Sequence, residues 1–128
     1  MDLKILEIAS NTENNKVIDN FTHKSKNKNP ICGDEMEISL VVKNNTVIDM
    51  GYQCKSCVYC QASVSLLSQK IKNKKLQEIK KFVVSCENFF ENTKIEIEKN
   101  WRDFLKLFDK KNISRKECLL LPLRTVLK

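Results

Sequence analysis

The sequence predicts an α+β domain: a small antiparallel sheet built on one hairpin, with helices packed over one of its faces. Two observations carry that prediction. Between residues 36 and 52, two short stretches alternate apolar and polar side chains on either side of an Asn-Asn pair, while later apolar residues recur at helical spacing. The chain of 128 residues also contains just two Gly and two Pro, too little punctuation for an all-β fold.

Taken in order, Leu3, Ile5, Leu6 and Ile8 fit a short helix ending near Ser10-Asn11. Residues 11–29 are rich in Asn and Lys, with Val17, Ile18 and Phe21 as their one apolar patch, and read as loop. His23, the single histidine, falls there as a solvated loop residue. Met36, Ile38, Leu40 and Val42 then mark one strand, and Ile48, Met50 and Tyr52 a second. Lys43-Asn44-Asn45-Thr46 supplies the turn, because Asn tolerates the left-handed conformations of tight hairpins. A lone hairpin is marginal in water, so its apolar face needs a cover. Cys60, Val64, Leu67 and Ile71 predict a helix from near Cys57 to Lys72. Phe82, Val83, Cys86, Phe89 and Phe90 predict a second, and Trp101, Leu105 and Phe108, with Phe104 and Leu107 beside them, a third. Ser114-Arg115-Lys116-Glu117 reads as a capping box opening a last helix just before Cys118, with a kink at Pro122. The length suits one domain over 1–128, divided into an N-terminal helix and loop (1–28) and a core (29–128).

Composition narrows the function. The hydrophobic fraction is 41% and the charged fraction 30%, a soluble globular balance. No apolar run approaches the length needed to span a bilayer, and the charged, amphipathic start lacks the features of a signal peptide, so a cytoplasmic location and no membrane partner are expected. Six cysteines in a reducing compartment point to metal binding or thiol chemistry rather than disulfides. The net charge of +7 is spread along the chain with no nucleic-acid motif, so no nucleic-acid partner is expected.

Cys54, Cys57 and Cys60 form a Cys-x-x-Cys-x-x-Cys run, but the fourth cysteine and proline of a bacterial ferredoxin run are missing. A structural zinc site would want a second Cys-x-x-Cys or a histidine pair, and neither is present. The site must therefore be assembled across the fold. Cys32 lies in Asn29-Pro30-Ile31-Cys32-Gly33-Asp34 at the entry to the first strand, with Asp34 two residues on and Gly33 free to turn sharply. Cys118 falls in the first turn of the last helix, where the dipole and free amides favour a thiolate, and Cys57 at the start of another. Two thiolates at helix starts beside an aspartate suit a soft metal.

Asn29-Pro30-Ile31-Cys32-Gly33-Asp34 resembles the first motif of the NifU/IscU/SufU family of iron–sulfur cluster assembly scaffolds. Cys57-Val58-Tyr59-Cys60-Gln61-Ala62-Ser63-Val64-Ser65 is similar to the second, a cysteine followed five residues later by Ala-Ser-x-Ser, and Arg115-Lys116-Glu117-Cys118-Leu119-Leu120-Leu121 to the third. The resemblance runs from Asn29 to the C-terminus in the family's order, and it implies a SufE/NifU-like fold. It also implies that Cys32, Asp34, Cys57 and Cys118 hold an iron–sulfur cluster, expected as [2Fe-2S], or zinc at the same four groups. The Ala62-Ser63 anchor selects Cys57 from the cysteine run. Cys60 and Cys86 then read as core residues, while Cys54, at the end of a strand beside the site, is left open, with a spare sulfur acceptor as the minor reading.

Two functions follow from the resemblance. One is a scaffold, not an enzyme, that assembles a cluster on three Cys and one Asp and transfers it to apo-proteins. The other is a zinc-dependent sulfurtransferase taking persulfide sulfur from a cysteine desulfurase, with Cys118 as the acceptor. Both imply a cysteine desulfurase partner, and the scaffold adds apo iron–sulfur acceptors. The Leu-Pro-Pro-Val-Lys element that presents Isc-branch members to a dedicated Hsp70 is absent before Cys118, and Glu117 replaces a histidine. The long interval from Cys57 to Cys118 looks more like the SufU-type branch.

Overall fold

A computed structural model describes residues 3–31, 33–91 and 97–128; the expected ligand Cys32 lies outside the described residues. The described elements are α1 (Leu3–Ala9), β1 (His23–Lys28), β2 (Glu35–Lys43), β3 (Thr46–Lys55), α2 (Val58–Lys70), α3 (Leu76–Phe89) and α4 (Lys116–Val126). Two 3-10 segments, Lys99–Lys106 and Lys110–Arg115, precede α4. The sheet is antiparallel, with order β1-β2-β3. The α2 and α4 helices lie against it, α1 and the 99–106 segment pack on α2, and α3 packs on α4. The α+β class expected from the sequence is the one observed.

The hairpin turns on Asn44 and Asn45, both left-handed at φ 51° and 61°, the combination a two-residue turn between twisted strands requires. Leu40 faces Met50 and Ile38 faces Tyr52 across the ladder, and these four side chains are buried under the helices. Ile48 departs from the expectation. A bulge pairs Val41 with Asp49 and Val42 with Val47, so Ile48 is the extra residue. It turns out to solvent at 45% exposure, and Val47 takes its place in the core. On the opposite face, residues 16–18 cross so close to Gly51 that an added Cβ would lie 2.6 Å from the Lys16 carbonyl oxygen.

Three further differences have physical causes. Residues His23–Lys28, expected as loop, form an edge strand with no apolar residue. Its main chain pairs with β2, and Lys24 and Lys26 both reach Glu37. Lysines on an edge are a common guard against pairing with other chains. Around Trp101 the chain is 3-10 rather than α-helical. Side chains three apart eclipse in that geometry, so Trp101, Phe104 and Leu107 are buried and Leu105 is exposed. The expected capping box is not formed. Ser114 belongs to the 110–115 segment, which is capped by the Asp109 carboxylate accepting from the Lys111 amide, and Glu117 pairs with Arg124 instead.

Candidate metal centre

Three elements converge at one end of the sheet. Asp34 ends the connection from β1 to β2. That connection is closed by hydrogen bonds from the Gly33 amide to the Asn29 carbonyl and from the Asn29 amide to the Asp34 carbonyl, each 2.8 Å. The buried Asn29 side chain accepts from the Ile31 amide at 2.9 Å, and Gly33 takes φ +77°, which no side chain tolerates well. The short loop thereby turns the Asp34 carboxylate inward. Cys57 is the N-cap of α2, extended at φ −71°, ψ 168°, and its own side chain makes no capping hydrogen bond. Its sulfur is left for other work. Cys118 is the third residue of α4, 6% exposed.

The Asp34 carboxylate and the Cys57 and Cys118 sulfurs lie within 4.8 Å of one another. Asp34 is 8% exposed, and its Oδ2 is buried with no hydrogen-bond partner among the described residues. A buried, unpaired carboxylate oxygen is costly unless a cation completes it. Two sulfurs and one oxygen are a donor set that iron or zinc accepts. The residues present therefore fit a soft or borderline metal, and they belong to three of the four predicted ligand positions.

The cysteine run divides as its backbone does. Cys54 lies next to the end of β3, half-buried, and Cys60 sits in the first turn of α2 with no exposure. Neither belongs to the three-residue group. Burial pushes the Cys60 and Cys86 thiols far above the usual range, which suits core side chains rather than ligands. Burial also raises Cys54, with the nearby Ser56 hydroxyl opposing and the Asp34 charge adding. That hydroxyl lies near both Cys54 and Cys60 but is buried without a well-formed hydrogen bond among the described residues.

Among the contacts that join the two sulfur-bearing segments, two are polar or cationic. At the surface, the Arg115 guanidinium lies over the Tyr59 ring at 5.3 Å. In the interior, Ser63 Oγ donates to the Leu119 carbonyl at 2.7 Å. Two further serines of α2 also hold the helix in place: Ser65 donates to the Asn11 carbonyl, and Ser68 accepts from Asn14 Nδ2. These serines are buried because α2 is enclosed on several sides, a role that spacing in the sequence does not reveal.

Comparisons with known proteins give the family and the fold. The family model described as the NifU-like N-terminal domain matches residues 2–95, a stretch that includes Asp34 and Cys57. An iron–sulfur cluster assembly scaffold protein IscU of Thermotoga maritima is 28% identical over 123 residues, covering 95% of this chain and 86% of its own. Two solved structures share the fold. A nitrogen-fixing NifU-like protein (N-terminal) from Brucella abortus superposes with a TM-score of 0.89 at 19% identity, over 98% of this chain and 88% of that one. A putative scaffold for the SUF system from Fervidobacterium islandicum gives 0.87 at 24% identity, over 98% and 92%.

Proposed function

The chain belongs to the NifU-like N-terminal domain family, and from that premise we propose that it is an iron–sulfur cluster assembly scaffold whose cargo is held by Cys57, Cys118 and Asp34 together with Cys32. The observation that carries the reading is the convergence of two sulfurs on a buried carboxylate whose Oδ2 has no partner among the described residues. The similarity to the Thermotoga maritima scaffold over nearly the whole chain supports it.

The mixed donor set gives the scaffold a means of release. Soft thiolates suit iron better than a carboxylate does, so Asp34 completes the shell while leaving one weaker position for an incoming thiol. Sulfur would come from a cysteine desulfurase and the cluster would pass to an apo-acceptor. Anaerobic reconstitution with iron, sulfide and a desulfurase, followed by visible absorbance, tests the proposal. The expected result is a chromophore that moves to apo-ferredoxin, and slower movement from Asp34→Ala. Tight zinc with no chromophore, and a persulfide adduct by mass spectrometry, would overturn it in favour of sulfur transfer.

A further inference from the structure

We propose that Ser63 is a positioning residue that sets the separation of the Cys57 and Cys118 sulfurs by tying the first turn of α4 to α2. The inference rests on the reading of those two cysteines as ligands. Cys57 caps the N-terminus of α2, and Ser63 lies further along the same helix, with no exposure. Its hydroxyl donates to the carbonyl of Leu119, the residue that follows Cys118. One hydrogen bond therefore links the two ligand-bearing segments directly, inside the protein and away from solvent competition.

Pro122 explains why α4 needs this tie. In an ordinary helix the amide of residue 122 would donate to the carbonyl of residue 118. Proline has no such amide, and its ring pushes against that same carbonyl. The turn carrying Cys118 thus lacks one of the bonds that would fix it within its own helix. The residue before α4 adds no side-chain cap either: Arg115 occupies the N-cap position without a capping hydrogen bond. Ser63 adds a tie to this turn from outside α4. The position of Cys118 is accordingly tied also to α2, the helix whose N-cap is the other sulfur ligand. A metal site needs this kind of reference, because partners that orient ligands govern affinity nearly as much as the ligands do.

Cobalt(II) bound to the whole chain under anaerobic conditions provides the test. Cobalt–thiolate charge-transfer bands report sulfur coordination, and the ligand-field bands report its geometry. Ser63→Ala is expected to shift the ligand-field bands and weaken cobalt and zinc binding roughly tenfold or more. Ser68→Ala is the matched control. It removes a buried serine of the same helix, which donates to the Ser65 carbonyl and accepts from Asn14, and touches neither ligand segment. Thermal melts of the two apo-variants measure how far each is destabilised. Altered bands in Ser63→Ala, with wild-type bands in an equally or more destabilised Ser68→Ala, support the proposal. Wild-type bands and affinity in Ser63→Ala overturn it, as do equal spectral changes in both variants. A wild-type chain with no charge-transfer band would overturn the ligand reading itself, and the proposed role of Ser63 with it.

Discussion

Around Phe82 the packing is done by rings: Trp101 stacks on it at 4.1 Å and 4°, and Phe104 meets it edge-on at 4.8 Å. Phe89, Phe90 and Phe108 continue the cluster along α3. Around Cys57, Cys118 and Asp34 directional polar ties add to the packing. These are Ser63 to Leu119, the Asn29 turn, and the lysines of β1 on Glu37. Apolar packing is strong but tolerant of small displacements, whereas hydrogen bonds are weak and fix geometry. The difference assigns stability to the aromatic region and ligand geometry to the polar one.

The largest expected effect lies on the aromatic side. Trp101 is 2% exposed, and Trp101→Ala removes the stacked ring and leaves a cavity. It should cost about 3–5 kcal/mol, read by urea denaturation. Zinc affinity of the fraction that stays folded should be unchanged. A fall in that affinity would show that the aromatic cluster also sets the site, and the division would fail.

Asp34 sharpens the contrast from the other side, with the opposite sign. Its Oδ2 is buried with no partner among the described residues, an unsatisfied polar group within them. Asp34→Ala should leave apo-stability unchanged or raise it by about 1 kcal/mol, because leaving such a group unpaired costs on the order of 1–3 kcal/mol. The same variant should bind zinc more weakly. Thermal melts with and without zinc separate the two effects. Clear destabilisation of the apo-form would mean that Asp34 supports the loop rather than waits for a cation.

The same division explains what the sequence disclosed. Elements that bury side chains on a regular period were legible: the helix begun at Cys57, the buried face of Cys60, Val64, Leu67 and Ile71, and the Asn44-Asn45 turn. The aromatic segment was legible as core but not as 3-10 helix. Its residues 101, 104, 105, 107 and 108 contain both a three-residue and a near-four-residue period, and local packing chose the former. β1 was invisible because its stability comes from main-chain pairing with β2, which leaves no apolar signature in His-Lys-Ser-Lys-Asn-Lys. The candidate ligands Asp34, Cys57 and Cys118 were legible because chemistry restricts residue type, and the structure brings them together. Ser63 was visible as part of a motif but not as a tie, since its acceptor is a backbone carbonyl on another helix.

The smallest effect probes the weakest polar tie. Glu37 receives Lys24 Nζ at 2.8 Å and lies opposite Lys26 in the ladder, so it fastens the edge strand that leads into the Asp34 loop. The hydrogen bond from Lys24 holds its carboxyl below the ordinary value of 4.5, reinforced by the charges of Lys24 and Lys26 and partly opposed by burial. A carboxylate with a depressed folded pKa stabilises above its unfolded pKa and loses that contribution as pH falls through the folded one. Because the lysines are well exposed, the tie is worth about 0.5 kcal/mol or less. Glu37→Gln should therefore be slightly less stable than wild type at pH 7 in low salt. The gap should close as pH falls through the folded pKa, which lies below the ordinary 4.5, and shrink in 1 M salt. Zinc affinity measured at pH 7 decides whether this tie matters to the site. If Glu37→Gln weakens zinc binding severalfold while barely moving the melt, the edge strand sets ligand geometry; if both stay level, the polar ties that matter are the buried ones, Asn29 and Ser63.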